Sequence, residues 1–106
     1  MPTLIFDEID AGLGGAEGFA LGRKLRRLAS SGQVLAVTHL PQVASQGDVH
    51  FRVSKRVEGE RTFAKVARLS PEERIEETAR MLSGAKVTES SLSHARELLA
   101  SSRASG

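Results

Sequence analysis

The sequence predicts an α/β fold: parallel strands joined by a crossover helix, then a β-hairpin and two C-terminal helices. Three observations carry that expectation. Leu4-Ile5-Phe6 and Val34-Leu35-Ala36-Val37 are short unbroken apolar runs, as in strands covered on both faces of a parallel sheet. Between them, residues 16–29 space their apolar side chains as a helix does, with Leu21, Leu25 and Leu28 on one face. Further on, Val49, Phe51 and Val53 alternate with His50, Arg52 and Ser54, and a polar turn at Glu58-Gly59-Glu60 sends the chain back.

The elements follow in order. The first strand ends in Asp7-Glu8-Ile9-Asp10, so two adjacent carboxylates and then a third stand at its carboxyl end. Ala11-Gly12-Leu13-Gly14-Gly15 is a loop whose glycines admit positive φ or a close backbone approach. The helix over 16–29 carries Arg23, Lys24, Arg26 and Arg27 toward its C-terminal end, where they suit the helix dipole. These read as a solvated face rather than a DNA groove. Gly18 and Gly22 lower helix propensity and mark close packing. Ser30-Ser31-Gly32 ends the helix.

A strand, helix, strand order implies a right-handed crossover and a parallel pair. Thr38 and His39, at the carboxyl end of the second strand, then share a rim with Asp7 and Glu8. That is where open α/β sheets place their ligand and catalytic groups. Residues 40–45 follow with Pro41 and predict one or two helical turns. The returning hairpin strand spans residues 62–69. Ser70-Pro71-Glu72-Glu73 is a helix start with a cap, a proline at the first position and a capping box. Ile75, Ala79 and Leu82 form its stripe, and Ser83-Gly84 stops it. Thr88 caps a last helix carrying Leu92, Ala95 and Leu99, and residues 101–106 read as a frayed polar tail.

Composition bounds the function. The 106 residues make at most one small domain, set here at residues 1–100 with a flexible tail over 101–106. Lys plus Arg is 15 and Asp plus Glu 13, too even to argue for nucleic acid or membrane on charge alone. Cysteine is absent, which excludes disulfide and thiolate chemistry and suits a cytosolic setting. No apolar run approaches transmembrane length and no secretion signal is present, so no membrane partner is expected. His50 and His94 have no partner at metal-site spacing, so a zinc site is not expected. A buried strand opening this near the terminus predicts a core that continues upstream.

Asp7 and Glu8 suit a hard cation with a base beside it, because Mg²⁺ takes oxygen ligands and water activation needs a carboxylate or similar group. Asp10 either caps the turn after the strand or joins the water network. The run Leu4-Ile5-Phe6-Asp7-Glu8 resembles the Walker B segment of ABC-type ATPases. Leu4 through Gly15, with Val37-Thr38-His39-Leu40-Pro41-Gln42-Val43-Ala44, resembles more particularly the C-terminal part of the ATPase head in the RecN family of SMC-like DNA double-strand-break repair proteins. Val53-Ser54-Lys55 and Ala79-Arg80-Met81-Leu82-Ser83-Gly84 fit the same family.

The resemblance implies the C-terminal lobe of an ABC-type P-loop ATPase head, with ATP and Mg²⁺ as cofactors. Asp7 would hold Mg²⁺ through water. Glu8 would activate the attacking water, and His39 would contact the γ-phosphate. Asp7, Gly12, Leu13 and Gly14 would be the cofactor-side contacts, residues 11–15 being the D-loop that crosses between two heads. Many such heads carry aspartate where this chain has Gly14, so no polar cross-dimer contact is expected from that side chain. A Gly-rich loop ending in Gly-Lys-Ser/Thr is absent, as is the signature segment. The implied partners are therefore an N-terminal lobe carrying Walker A, a second head in an ATP-sandwiched homodimer, and DNA through the complete protein. A coiled coil would lie upstream, and the setting would be cytoplasmic and nucleoid-associated. The rival reading is a non-catalytic head or dimerisation module; on either reading this chain alone is expected to be inactive.

Overall fold

The structure, a computed structural model, describes residues 2–84 and 86–104. Strand β1 (Thr3–Asp7) leads through a loop into helix α1 (Gly15–Ala29) and strand β2 (Gln33–Val37). A one-turn helix α2 (Pro41–Ala44) follows. Strands β3 (Phe51–Glu58) and β4 (Arg61–Arg68) form the hairpin, and helices α3 (Pro71–Ser83) and α4 (Glu89–Ala104) close the chain. β1 and β2 pair in parallel from Thr3 with Gln33 to Asp7 with Val37. β3 and β4 pair antiparallel, Phe51 opposite Arg68 and Glu58 opposite Arg61. Among the described residues these are two separate two-stranded sheets. The expected α/β architecture is present, element for element.

Local sequence explains the boundaries. The Ser70 hydroxyl accepts from Glu73 N at 3.2 Å while the Glu73 carboxylate accepts from Ser70 N at 2.9 Å. That reciprocal pair satisfies two of the free donors that open every helix. Gly84 ends α3 with φ +90, a conformation glycine adopts without the penalty a Cβ brings, and its N–H donates to Arg80 O at 2.8 Å. Thr88 caps α4 through Oγ1, which accepts from Ser91 N at 3.1 Å.

The segment from Pro41 to Gly47 is the hub that the helices grip. α1 packs against it through its glycines. A Cβ on Gly18 would lie 2.9 Å from Leu40 Cδ1, and one on Gly22 would lie 2.8 Å from Gln46 Cγ and 3.0 Å from Gln42 O. At Gly22 the helix lies directly on the backbone of residues 42 and 43, whereas at Gly18 it meets side chains. From α3, the buried Arg74 guanidinium donates to the carbonyls of Ala44 at 3.0 Å, Ser45 at 3.4 Å and Gly47. From α4, the Ser102 hydroxyl donates to Ser45 Oγ at 3.0 Å. Pro41, Val43, Ser45 and Gln46 are all buried.

Three expectations are corrected. The apolar residues of β1 are not covered on both faces: Ile5 is 69% exposed and Val37 of β2 is 53% exposed. The reason is the missing layer, since among the described residues α1 packs on β2 and no helix packs extensively on β1. The buried stripe of α1 is Gly18, Gly22 and Leu25, while Leu28 stands in solvent. In α4 the buried stripe is Ser91, Ala95, Leu98 and Ser102, one step round from Leu92 and Leu99. The helix runs on to Ala104, and Ser102 is buried against Ser45. The last two residues of the expected tail, Ser105 and Gly106, lie outside the described residues.

The hairpin sorts its side chains by face. Phe51, Val53, Lys55, Val57, Val66 and Arg68 share one side, and Arg52, Arg56, Arg61, Phe63 and Lys65 the other. Both sides are exposed, and the Arg56 guanidinium sits 5.5 Å from the Phe63 ring centroid.

Candidate functional site

The parallel register fixes which residues meet. Because Asp7 pairs with Val37, the residues that follow each, Glu8 and Thr38-His39, leave the sheet at one end. The ladder runs one step further, as Glu8 N donates to Val37 O at 3.1 Å. Glu8 then takes φ +54, in the left-handed region that non-glycine residues seldom occupy. This turns the chain sharply off the strand and leaves the carboxylate on the rim. His39 Nε2 lies 3.4 Å from Glu8 Oε1, a long contact between two largely exposed side chains. The strand ends thus bring together an acid and an imidazole 31 residues apart.

Asp10 stands behind them and is 4% exposed. Its Oδ2 accepts from the Thr38 hydroxyl and from His39 N at 3.2 Å. Thr38 Oγ1 in turn accepts from Leu40 N at 3.0 Å. Burial alone would raise the Asp10 carboxyl, but the Thr38 hydroxyl and nearby backbone N–H groups together hold it below the usual carboxylate value. Asp10 is therefore a buried, ionised carboxylate that satisfies the backbone beneath His39. Sequence reasoning left its role open; the polar Asp10 at a turn and the Thr38 before His39 were the available signals.

The loop residues sit on the same rim. Gly12 takes φ +80, Leu13 N donates to Asp10 O at 3.0 Å, and Ala11 N donates to Glu8 O at 3.2 Å. Glu17 Oε2 accepts from Gly14 N at 3.2 Å and closes the start of α1. Nothing lies within 4 Å of where a Cβ on Gly12 or Gly14 would stand, so this part of the loop faces open space. Asp7 is exposed beside Glu8.

A cleft of about 200 Å³ adjoins His39, lined by Thr38, His39, Arg80, Met81 and Gly84. The buried Glu77 carboxylate grips Arg80 Nε at its edge. A larger cavity of about 560 Å³, lined among others by Arg26, Asp48, Arg74 and Arg96, contains none of the rim residues. Among the described residues no three His, Cys, Asp or Glu side chains form a metal cage. The donor set still suits a hard cation that takes one or two carboxylate oxygens from the protein and the rest from water and phosphate.

Known proteins resemble this chain. A DNA repair protein RecN from Deinococcus radiodurans is 52% identical over 99 residues, covering 93% of this chain and 17% of that protein. The chain is homologous to bacterial RecN. RecN from Vibrio cholerae is 47% identical over 98 residues, and RecN from Mycobacterium tuberculosis 50% over 97. The chain spans less than a fifth of the length of these RecN relatives. No family model matches it. A solved structure from work on ATP-driven dimerisation and DNA-stimulated activation of SMC ATPases superposes with a TM-score of 0.65. It is 24% identical, covering 77% of this chain and 48% of that one. The chain thus shares its fold with part of that structure.

Proposed function

We propose that this chain is the acidic and histidine half of a composite ATP-hydrolysing site in an SMC-like head that acts in DNA double-strand-break repair and recombination. The observation that carries the reading is the meeting of Glu8 and His39 at the shared end of β1 and β2. Asp7 would hold Mg²⁺, largely through water. The ion, when bound, offsets the negative charge of the triphosphate. Glu8 orients and polarises the attacking water, and His39 donates an N–H to a phosphate oxygen. Gly12, Leu13 and Gly14 present backbone rather than charge to the nucleotide and to the second head.

Neither group binds a triphosphate tightly alone. The remainder of the site comes from an N-terminal lobe carrying the Walker A loop. The exposed apolar residues Leu4, Ile5, Leu35 and Val37 offer that lobe a surface of the right chemistry. A second head completes the sandwich in a homodimer, DNA is engaged by the complete protein, and the setting is the cytoplasm at the nucleoid.

The test joins this chain to its Walker A portion and measures ATP turnover. Glu8→Gln abolishes hydrolysis, retains ATP binding and stabilises the ATP-bound head dimer. Turnover unchanged in Glu8→Gln removes Glu8 from its role, and absence of turnover in the unaltered assembly favours a non-catalytic dimerisation module.

A further inference from the structure

We propose that Asp10 is the positioning residue that ties the 11–15 loop to His39. The inference rests on the composite-site reading for its catalytic consequence, and on geometry alone for the tie itself. Beyond Val37 the parallel ladder stops. From that point, the Asp10 carboxylate and the Thr38 hydroxyl supply acceptors for the backbone of residues 39 and 40. Asp10 Oδ2 takes the Thr38 hydroxyl and His39 N–H, and Thr38 Oγ1 takes Leu40 N–H. The imidazole itself is exposed and meets Glu8 only at 3.4 Å. Its place is therefore set from below, by the backbone that Asp10 holds, rather than by packing round the ring.

The other end of the tie is the loop. Asp10 O accepts from Leu13 N at 3.0 Å, which closes the first turn of the 11–15 segment. One residue thus joins two segments 28 positions apart, its main chain in the loop and its side chain under the strand end. The residue is buried, so the link is little diluted by water. The carboxylate is ionised, and hydrogen bonds to an ionised acceptor are about twice as strong as neutral ones. A shift of the loop when a second head approaches must move Asp10, and with it the base of His39. Downstream, the 41–47 hub is gripped by α1, α3 and α4, so movement at 38–40 is confined to the stretch Asp10 controls.

The experiment compares Asp10→Ala, Asp10→Asn, His39→Ala and the Asp10→Ala/His39→Ala double variant in the assembly with the Walker A portion. It reads kcat and KM for ATP, with amide hydrogen exchange of the 106-residue chain alongside. Asp10→Ala lowers kcat about 10- to 100-fold, the range seen when a group orienting a site ligand is lost. KM stays near its original value. The double variant is no slower than His39→Ala, because the two residues act as a unit. Asp10→Asn recovers most of the rate, since its amide oxygen still accepts from Thr38 and His39. In the chain by itself, Asp10→Ala speeds exchange at the His39 and Leu40 amides while amides of α3 keep their protection. Losses that multiply in the double variant, or a fall in melting temperature with kcat per folded molecule unchanged, would overturn the proposal. So would Asp10→Asn as damaging as Asp10→Ala. If the unaltered assembly hydrolyses no ATP, the composite-site reading fails, and the exchange pattern alone decides whether Asp10 anchors His39.

Discussion

Glu8 N donates to Val37 O at 3.1 Å, so the last rung of the parallel ladder lies inside the acidic motif itself. The next step of the chain is the left-handed turn of Glu8, at φ +54. Left-handed backbone costs an L-residue with a Cβ about 1–2 kcal/mol. Glu8→Gly therefore leaves the chain about 1 kcal/mol more stable than Glu8→Ala, because only alanine keeps the clash. Urea denaturation of the two variants checks this. Equal midpoints would mean that the turn is not strained.

The α1 glycines are required by contact. Gly22→Ala places a Cβ 2.8 Å from the buried Gln46 Cγ and 3.0 Å from Gln42 O. Helix propensity alone would make alanine the better residue. The clash wins, because backbone cannot move aside as a side-chain tip can. The expected loss is about 1–3 kcal/mol, the usual cost of overpacking. Gly14→Ala, with open space around its Cβ position, costs less, and thermal melts of the two variants check the order.

Arg74 holds the carbonyls of Ala44, Ser45 and Gly47 from beneath. Arg74→Met keeps the stem and removes the donors. Ala44 O keeps the Gly47 N–H, whereas leaving the Ser45 and Gly47 carbonyls without this donor costs about 1–3 kcal/mol each, offset in part by solvent entry. A loss of about 2–3 kcal/mol is expected by denaturant unfolding. Arg74→Lys recovers only part of it, because all three acceptors surround the single nitrogen Nη2 and the shorter lysine side chain does not carry its ammonium to that point.

His50 gives a pH signature. Burial holds its imidazole below the ordinary value of 6.5, and the nearby Arg74 adds to this while Glu77 opposes it. Below 6.5 the unfolded chain takes up a proton that the folded chain resists, so stability falls as pH drops from there to the folded value. Above 6.5 the residue contributes no pH dependence. Asp10 and Glu73 are held below their ordinary carboxyl values of 3.8 and 4.5, so their stabilisation is lost only at more acid pH. His50→Gln flattens the stability profile just below pH 6.5 and leaves the acid limb intact. A profile unchanged in that upper window would show that burial does not hold the imidazole neutral.

What the sequence determined by itself is what depends on short-range chemistry. Apolar runs ending in Asp7-Glu8 and in Thr38-His39 specified two strands, and the strand, helix, strand order implied the parallel pairing that puts their tips on one rim. The Ser70 capping box and the hairpin alternation specified their elements in the same local way. Tertiary structure decided everything that needs a partner distant in the chain. Leu28 and Leu99 read as buried by periodicity, yet Gly22 and Ser102 took those places, because α1 and α4 turn toward the 41–47 hub. From the sequence, Asp10 either caps the turn after the strand or joins the water network. Only the closure of β1 against β2 brought Thr38 and the His39 amide onto it and made it a buried anchor, since a hydrogen bond across 28 residues leaves no mark on either local segment.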